Sequence, residues 1–332
     1  MGSPISSTAS RKLPFLVLAS LLAGCAGPRA SLSGLSAFGP EAGPVELAGV
    51  PFYPQTELQC GPAALATVLG AAGRPATPAE LAGEVYVPGL EGSLQLELVA
   101  AARARGLLPY VVEPSAGALF AELAAGRPVL VLQNLRLASW PAWHYAVLVG
   151  ADPATDTVIL RSGTDRRLTM SLRAFLQTWE RAERWAMVLL EPGELPASPD
   201  PERYRQAVLG LEESGRHVAA AAAWEAALVR WPGDAVAMFG AATNRYLAGD
   251  LAGARRGYET LLAERPDHAA AMNNLAGVYS DLGCYGAARA LARRAIDVSG
   301  QDDPVGQAAR DTLSGLPPEG DDASCPLAPV GR

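Results

Sequence analysis

Glycine, alanine, proline, methionine and aromatic residues recur at one step of 34 over the second half of the chain, and nothing else in the sequence constrains the fold as tightly. Gly215, Gly249 and Gly283 keep the step, as do Ala220, Ala254 and Ala288. Pro232 and Pro266, Met238 and Met272, and Trp224 and Tyr258 repeat it pairwise. A single copy of so short a unit cannot bury its own apolar face, so a fixed period of this length demands stacked copies. Each unit reads as a helical hairpin. The small residue of the Ala220 series lets its two helices approach, the aromatic fills the gap to the next unit, and glycine supplies the left-handed turn between helices.

This is the tetratricopeptide signature, and it places three repeats at 201–234, 235–268 and 269–302. The third has Ala292 in the aromatic place and no closing proline, which suits a terminal unit. Arrays of this kind bind extended peptides or a protein partner on their concave face and carry no chemistry, so His217 and His268 receive no catalytic role. Residues 191–200, which include Pro192, Pro196 and Pro199, have linker composition. The tail 303–332 reads as largely disordered. Cys325 lies in it, and Cys284 and Cys325 either pair in an oxidising compartment or remain two free thiols.

At the other end, Arg11 and Lys12 precede an apolar run, Leu13 to Leu22, and small residues lead to Cys25. This is the layout of a secretory signal, 1–24, and the run is too short to span a bilayer. Leu22-Ala23-Gly24-Cys25 resembles the lipobox of bacterial lipoproteins. That resemblance implies cleavage before Cys25, lipid attachment to it, and a place in the cell envelope, at the outer membrane facing the periplasm. Residues 25–47, rich in Gly, Ala, Ser and Pro, read as a flexible tether.

The formal net charge is −7 and no basic patch stands out, which argues against nucleic acid as a partner. The four cysteines and three histidines form no CxxC or HxxxH spacing, so no metal site is expected. No GxxxxGK[ST] loop occurs, so ATP binding is not implied, and no cofactor is expected.

The chemistry therefore falls in 48–190, which holds one cysteine and one histidine. Leu65, Val68 and Leu69 follow Cys60-Gly61-Pro62 at helical spacing, and Pro62 suits a first turn, so Cys60 stands at a helix N-terminus. The positive end of the helix dipole there favours an anionic sulfur, the form that attacks a carbonyl. His144 opens an apolar strand, His144–Gly150. Asp152–Asp156 reads as a turn and Val158–Leu160 as the returning strand. A hairpin centred near residue 154 sets His144 opposite residue 163 or 164. Pro128–Gln133 reads as a third strand.

Gln55-x4-Cys60-Gly61-Pro62-Ala63-Ala64-Leu65, then Gly126-x-Pro128-Val129, then His144-Tyr145-Ala146-Val147-Leu148-Val149-Gly150 resemble the bacteriocin-processing, double-glycine-leader cysteine peptidases and their stand-alone relatives. Thr77-x-x-Glu80-Leu81, Gly92 and Gly106-Leu107 resemble that family's middle section. The resemblance covers about 48–190 and implies an α+β papain-like cysteine-peptidase domain followed by the all-α tetratricopeptide solenoid. It implies hydrolysis of a peptide or protein substrate, with Cys60 as nucleophile, His144 as base and then acid, and Gln55 as an oxyanion donor. Pro54 occupies the family's usual glutamine place, so the spacing from Gln55 is one residue short; Gln59 adjoins the cysteine and would point elsewhere. Ser162 falls where the family has the aspartate that orients the histidine, with Asp165 nearby and Asn134 on the neighbouring strand as the other candidates. Asp152 and Asp156 lie too far along the hairpin. The alternatives are an inactive peptidase fold acting as a peptide-binding scaffold, or a papain-like amidase or acyl transferase. No exporter segment follows, so leader processing is not implied.

Overall fold

The computed structural model describes residues 43–55, 59–300, 303–317 and Cys325, all within one compact unit. The signal segment, Cys25 and most of the tether lie outside the described residues. Among the described residues no helix is long and apolar enough to cross a membrane.

A seven-stranded antiparallel sheet organises the first half. Its strands are β1 (Val45–Glu46), β2 (Leu108–Val111), β3 (Val129–Asn134), β4 (Trp143–Asp152), β5 (Thr157–Ser162), β6 (Asp165–Ser171) and β7 (Ala186–Leu190). They lie in the order β2-β7-β3-β4-β5-β6, with β1 paired to the far end of β4. The period-2 alternation of β3 and β4 divides their side chains between two cores. Leu130, Leu132, Tyr145, Val147 and Val149 meet α1 (Cys60–Ala71) on one face. Val131, Ala146 and Leu148 meet Phe120 of α4 (Ala116–Ala124) and Phe175 and Trp179 of α5 (Leu172–Glu180) on the other. Leu65, Val68 and Leu69 of α1 are buried, each worth roughly 2 kcal/mol by area. Two further helices, α2 (Pro78–Val85) and α3 (Gln95–Ala104), complete the α1 side. The first of these starts from a Thr77–Glu80 capping box.

The end of the expected tether is structured. Val45 and Glu46 pair with Ala151 and Gly150, and Leu47 N–H donates to Val149 O at 2.8 Å. The boundary moves because β3 stops pairing with β4 at Leu148, which leaves β4 an open edge that β1 satisfies.

The 34-residue period becomes three antiparallel hairpins: α6 (Pro201–Glu213) with α7 (His217–Arg230), α8 (Ala235–Leu247) with α9 (Leu251–Glu264), and α10 (Ala269–Asp281) with α11 (Tyr285–Val298). The inter-helix glycines Gly215, Gly249 and Gly283 take φ of 70°, 85° and 75°, the left-handed turn their spacing predicts. Ala220, Ala254, Ala288, Trp224 and Tyr258 are all buried.

Part of the tail, expected to be largely disordered, is helical. Residues 304–315 form a further helix, α12 (Pro304–Gly315), capped by Asp303. Its Ala309 joins Met272 and Ala295, and Thr312 Oγ1 donates to Asn273 Oδ1 at 2.9 Å. An array end exposes the apolar side of its last hairpin, and this helix covers it. Cys284 and Cys325 are joined in a disulfide with Cα atoms 5.6 Å apart.

The linker has no regular structure, but it is fixed. Ala197 N–H donates to Glu122 Oε1 at 2.7 Å and Asp200 N–H to the Tyr110 hydroxyl at 3.4 Å. Beyond it, Tyr204, Val208 and Leu211 of α6 enter the same core as Phe120 and Trp179. The single Tyr204 hydroxyl proton is shared between Glu194 O at 3.0 Å and Ala223 O at 3.2 Å, tying linker to repeat. Because one core serves both halves, Tyr204→Ala should cost about 3–5 kcal/mol. Thermal unfolding followed by both far-UV and tryptophan signals should show one transition lowered as a whole. Separate transitions, with only the helical one moved, would contradict the shared core.

Candidate active site

The N-terminus of α1 and the start of β4 meet at one end of the sheet, on a cavity of about 1250 Å³. Cys60 is the first residue of α1, and the N-cap residue Gln59 makes no side-chain capping hydrogen bond. Burial of the helix's apolar face on β3 and β4 fixes where the sulfur stands. His144 follows Trp143 at the start of β4, opposite Gln133 on β3. Cys60, His144 and Gln55 all line the cavity. Gln55 is held there by its backbone N–H, which donates to Gly163 O at 2.9 Å, in the turn after β5. Gln59 is exposed and does not line it.

The β4–β5 hairpin pairs Val147 with Arg161 and Leu148 with Leu160, after an irregularity near Val149. This register brings Ser162 diagonally across from His144. His144 Nε2 lies 2.8 Å from Ser162 Oγ, and Ser162 is buried. When Nε2 carries the hydrogen and donates it to the hydroxyl, the Nδ1 lone pair is the basic site of the ring. The other two candidates go elsewhere. Asp165 is exposed at the start of β6. Asn134 is buried, but its Oδ1 accepts from Arg136 N–H at 3.1 Å and Ala142 N–H at 3.0 Å, closing the loop between β3 and β4. The partner of the imidazole is thus a neutral hydroxyl. It orients the ring without compensating a positive charge. Burial pushes the His144 pKa below the ordinary histidine value.

Sequence reasoning missed the wall of the cavity beside the start of α1. The short 3-10 turn Pro88–Leu90 and the residues after it bring Ser93 against Gly61, where an added Cβ would sit 2.4 Å from Ser93 Oγ. Glycine therefore follows the cysteine so that this segment can close on the helix end. The Tyr145 hydroxyl donates to Ser93 O at 3.1 Å. Burial first, and then the neighbouring Cys60, hold its pKa well above the usual phenol range, so it stays a donor. Trp185 meets Tyr145 edge to face at 6.0 Å. Gly92, picked out in the sequence by the family resemblance, stands in this segment and bridges to Val87. Of the tryptophans beside the histidine, Trp143 lines the cavity, while Trp140 lies on a smaller hollow nearby. Among the described residues no group of three or more His, Cys, Asp or Glu side chains is placed to hold a metal ion.

Part of the chain is similar to known proteins. Residues 47–187 match the model of the Peptidase_C39-like family. No curated protein matches the chain. Among solved structures, the chain is similar to a C39-like protein from Bacillus anthracis at 19% identity and TM-score 0.38, covering 45% of this chain and 98% of that one. It is similar to the peptidase domain of Streptococcus ComA, a bifunctional ABC transporter of a quorum-sensing pathway, at 19% identity and TM-score 0.33, covering 42% and 98%. A double-glycine-motif protease from an AMS/PCAT transporter, in complex with its leader peptide, matches at 22% identity and TM-score 0.32, covering 45% and 96%. The match thus ends within β7, and the helical repeats lie beyond the matched residues.

Two outcomes follow for this region. His144 should titrate below 6.5 by NMR of its ring protons, and Ser162→Asp should raise that midpoint by supplying a neighbouring negative charge. An unchanged midpoint in that variant would mean residue 162 does not face the ring. Gly61→Ala should destabilise the chain by about 1–3 kcal/mol through the clash with Ser93, read from urea unfolding.

Proposed function

We propose that the chain is a cysteine peptidase that cleaves peptide bonds through Cys60 and His144. The observation that carries the reading is the convergence on one cavity of a cysteine at a helix N-terminus, a histidine whose Nε2 is engaged by Ser162, and Gln55. His144 Nδ1 takes the thiol proton as Cys60 Sγ attacks the substrate carbonyl, and the carbonyl electron pair moves onto oxygen. The Gln55 side-chain amide and the backbone N–H of Cys60 receive that oxyanion. When the tetrahedral intermediate collapses, the imidazolium gives its proton to the leaving amine. Water then enters with His144 as base, and the acyl–sulfur bond breaks to release the acid and restore the thiol. The peptidase-type function is supported by the family match and by the retained Cys–His pair.

In the same proposal the chain is anchored in the bacterial envelope through lipid on Cys25, and its helical hairpins hold substrate or a partner protein. The shared core supports the last point, since it fixes the repeats relative to the cavity.

The test is cleavage of a diverse peptide mixture by the purified chain, read by mass spectrometry. Cys60→Ala should abolish it, and Gln55→Ala should lower kcat by about 10²-fold. Because burial lowers the His144 pKa, the base is neutral through the neutral range, and the acid limb of kcat/KM should fall below pH 6.5. Cleavage that survives Cys60→Ala would refute the assignment.

A further inference from the structure

The loop between β3 and β4, residues 135–142, presents apolar side chains to solvent from a rigid frame. Leu135, Leu137 and Trp140 are 50%, 72% and 73% exposed, and Trp143 beside them is 55% exposed. The loop is not loose. Leu135 N–H donates to Ala142 O at 2.9 Å and Trp140 N–H to Leu137 O at 3.1 Å, and Asn134 Oδ1 holds two further backbone N–H groups from within. Arg181 Nε donates to Asn134 O at 3.2 Å from the end of α5. Leu135, Leu137 and Trp140 surround a hollow of about 400 Å³ together with Arg136 and Arg181. Residues 135–143 contain no acidic side chain, although the chain as a whole carries −7. Glu180, the nearest acid along α5, is occupied by Arg184. Exposed tryptophan and leucine held rigidly beside arginine suit the zone where acyl chains meet headgroups, with the guanidinium groups matching anionic phosphates.

We propose that this hairpin tip docks on an anionic phospholipid bilayer, with Leu135, Leu137 and Trp140 entering the interfacial zone and Arg136 and Arg181 meeting phosphates. The proposal extends the envelope location given above. Trp143, the residue after this loop, lines the catalytic cavity beside His144. Docking therefore sets the cavity mouth at the bilayer surface, and the favoured substrates are polypeptide segments emerging from it.

The experiment is co-sedimentation of residues 33–332, the whole compact unit, with phosphatidylcholine vesicles with or without phosphatidylglycerol. This chain lacks both the Leu13–Leu22 run and Cys25, so its binding is independent of any lipid anchor. It should bind the phosphatidylglycerol vesicles, and less so as salt is raised. Leu137→Ser combined with Trp140→Ser, and Arg136→Glu separately, should each weaken binding by about tenfold or more. Val229→Ser, an equally exposed apolar residue of α7, should leave it unchanged. Absence of binding to either vesicle, equal binding without phosphatidylglycerol, or indifference to the tip variants would each overturn the proposal. Recovery of the acylated full chain with membranes alongside no binding by residues 33–332 would leave the anchor standing and the docking tip refuted.

Discussion

The burial of α1 against β3 and β4 is the contact on which the rest depends. Leu65, Val68 and Leu69 on the helix and Leu130, Tyr145, Val147 and Val149 on the strands form one apolar layer. That layer fixes both Cys60 and His144, since Cys60 begins the helix and His144 is the second residue of the strand it covers. The direction of α1 matters as much as its position. Its N-terminus points to the cavity, so unpaired backbone N–H groups and the positive end of its dipole lie where negative charge would develop on sulfur or on a substrate oxygen. Gly61 and Ser93 then close the wall behind it.

Around this layer, the second core joins what composition would separate. Tyr204, Val208 and Leu211 of the first repeat share buried surface with Phe120, Phe175 and Trp179 on the opposite face of the sheet. The helical array is therefore a buttress of the sheet as well as an appended module. Its outer end is closed by α12 and the Cys284–Cys325 bond.

Much of this was legible in the sequence, where a local rule determined it. The 34-residue period gave the hairpins because glycine at φ near +75° and buried alanine are needed once per unit. Pro62 and the Leu65, Val68, Leu69 spacing located the helix start at Cys60. The turn near residue 154 located the β4–β5 hairpin and set His144 opposite residue 163 or 164, in line with the Val147–Arg161 pair. Non-local packing was not legible. Nothing along the chain shows that Val45 would repair an open edge of β4, that 304–315 would cap an array, or that Ser93 would press on Gly61, because each depends on surface left by distant elements. The choice among Ser162, Asp165 and Asn134 was of the same kind. Charge alone favours Asp165, but Asp165 is exposed, Asn134 is spent on its own loop, and the imidazole meets the neutral serine.

The central claim is that Cys60 and His144 act as one unit. The most direct measurement is the rate of Cys60 modification by a thiol-directed alkylating probe across pH, in the chain and in His144→Ala. Coupling predicts rapid labelling that persists into the acidic range and collapses there when the histidine is removed. Labelling with the same pH profile in both proteins would show that Cys60 reacts as an isolated thiol, and the paired site would be wrong.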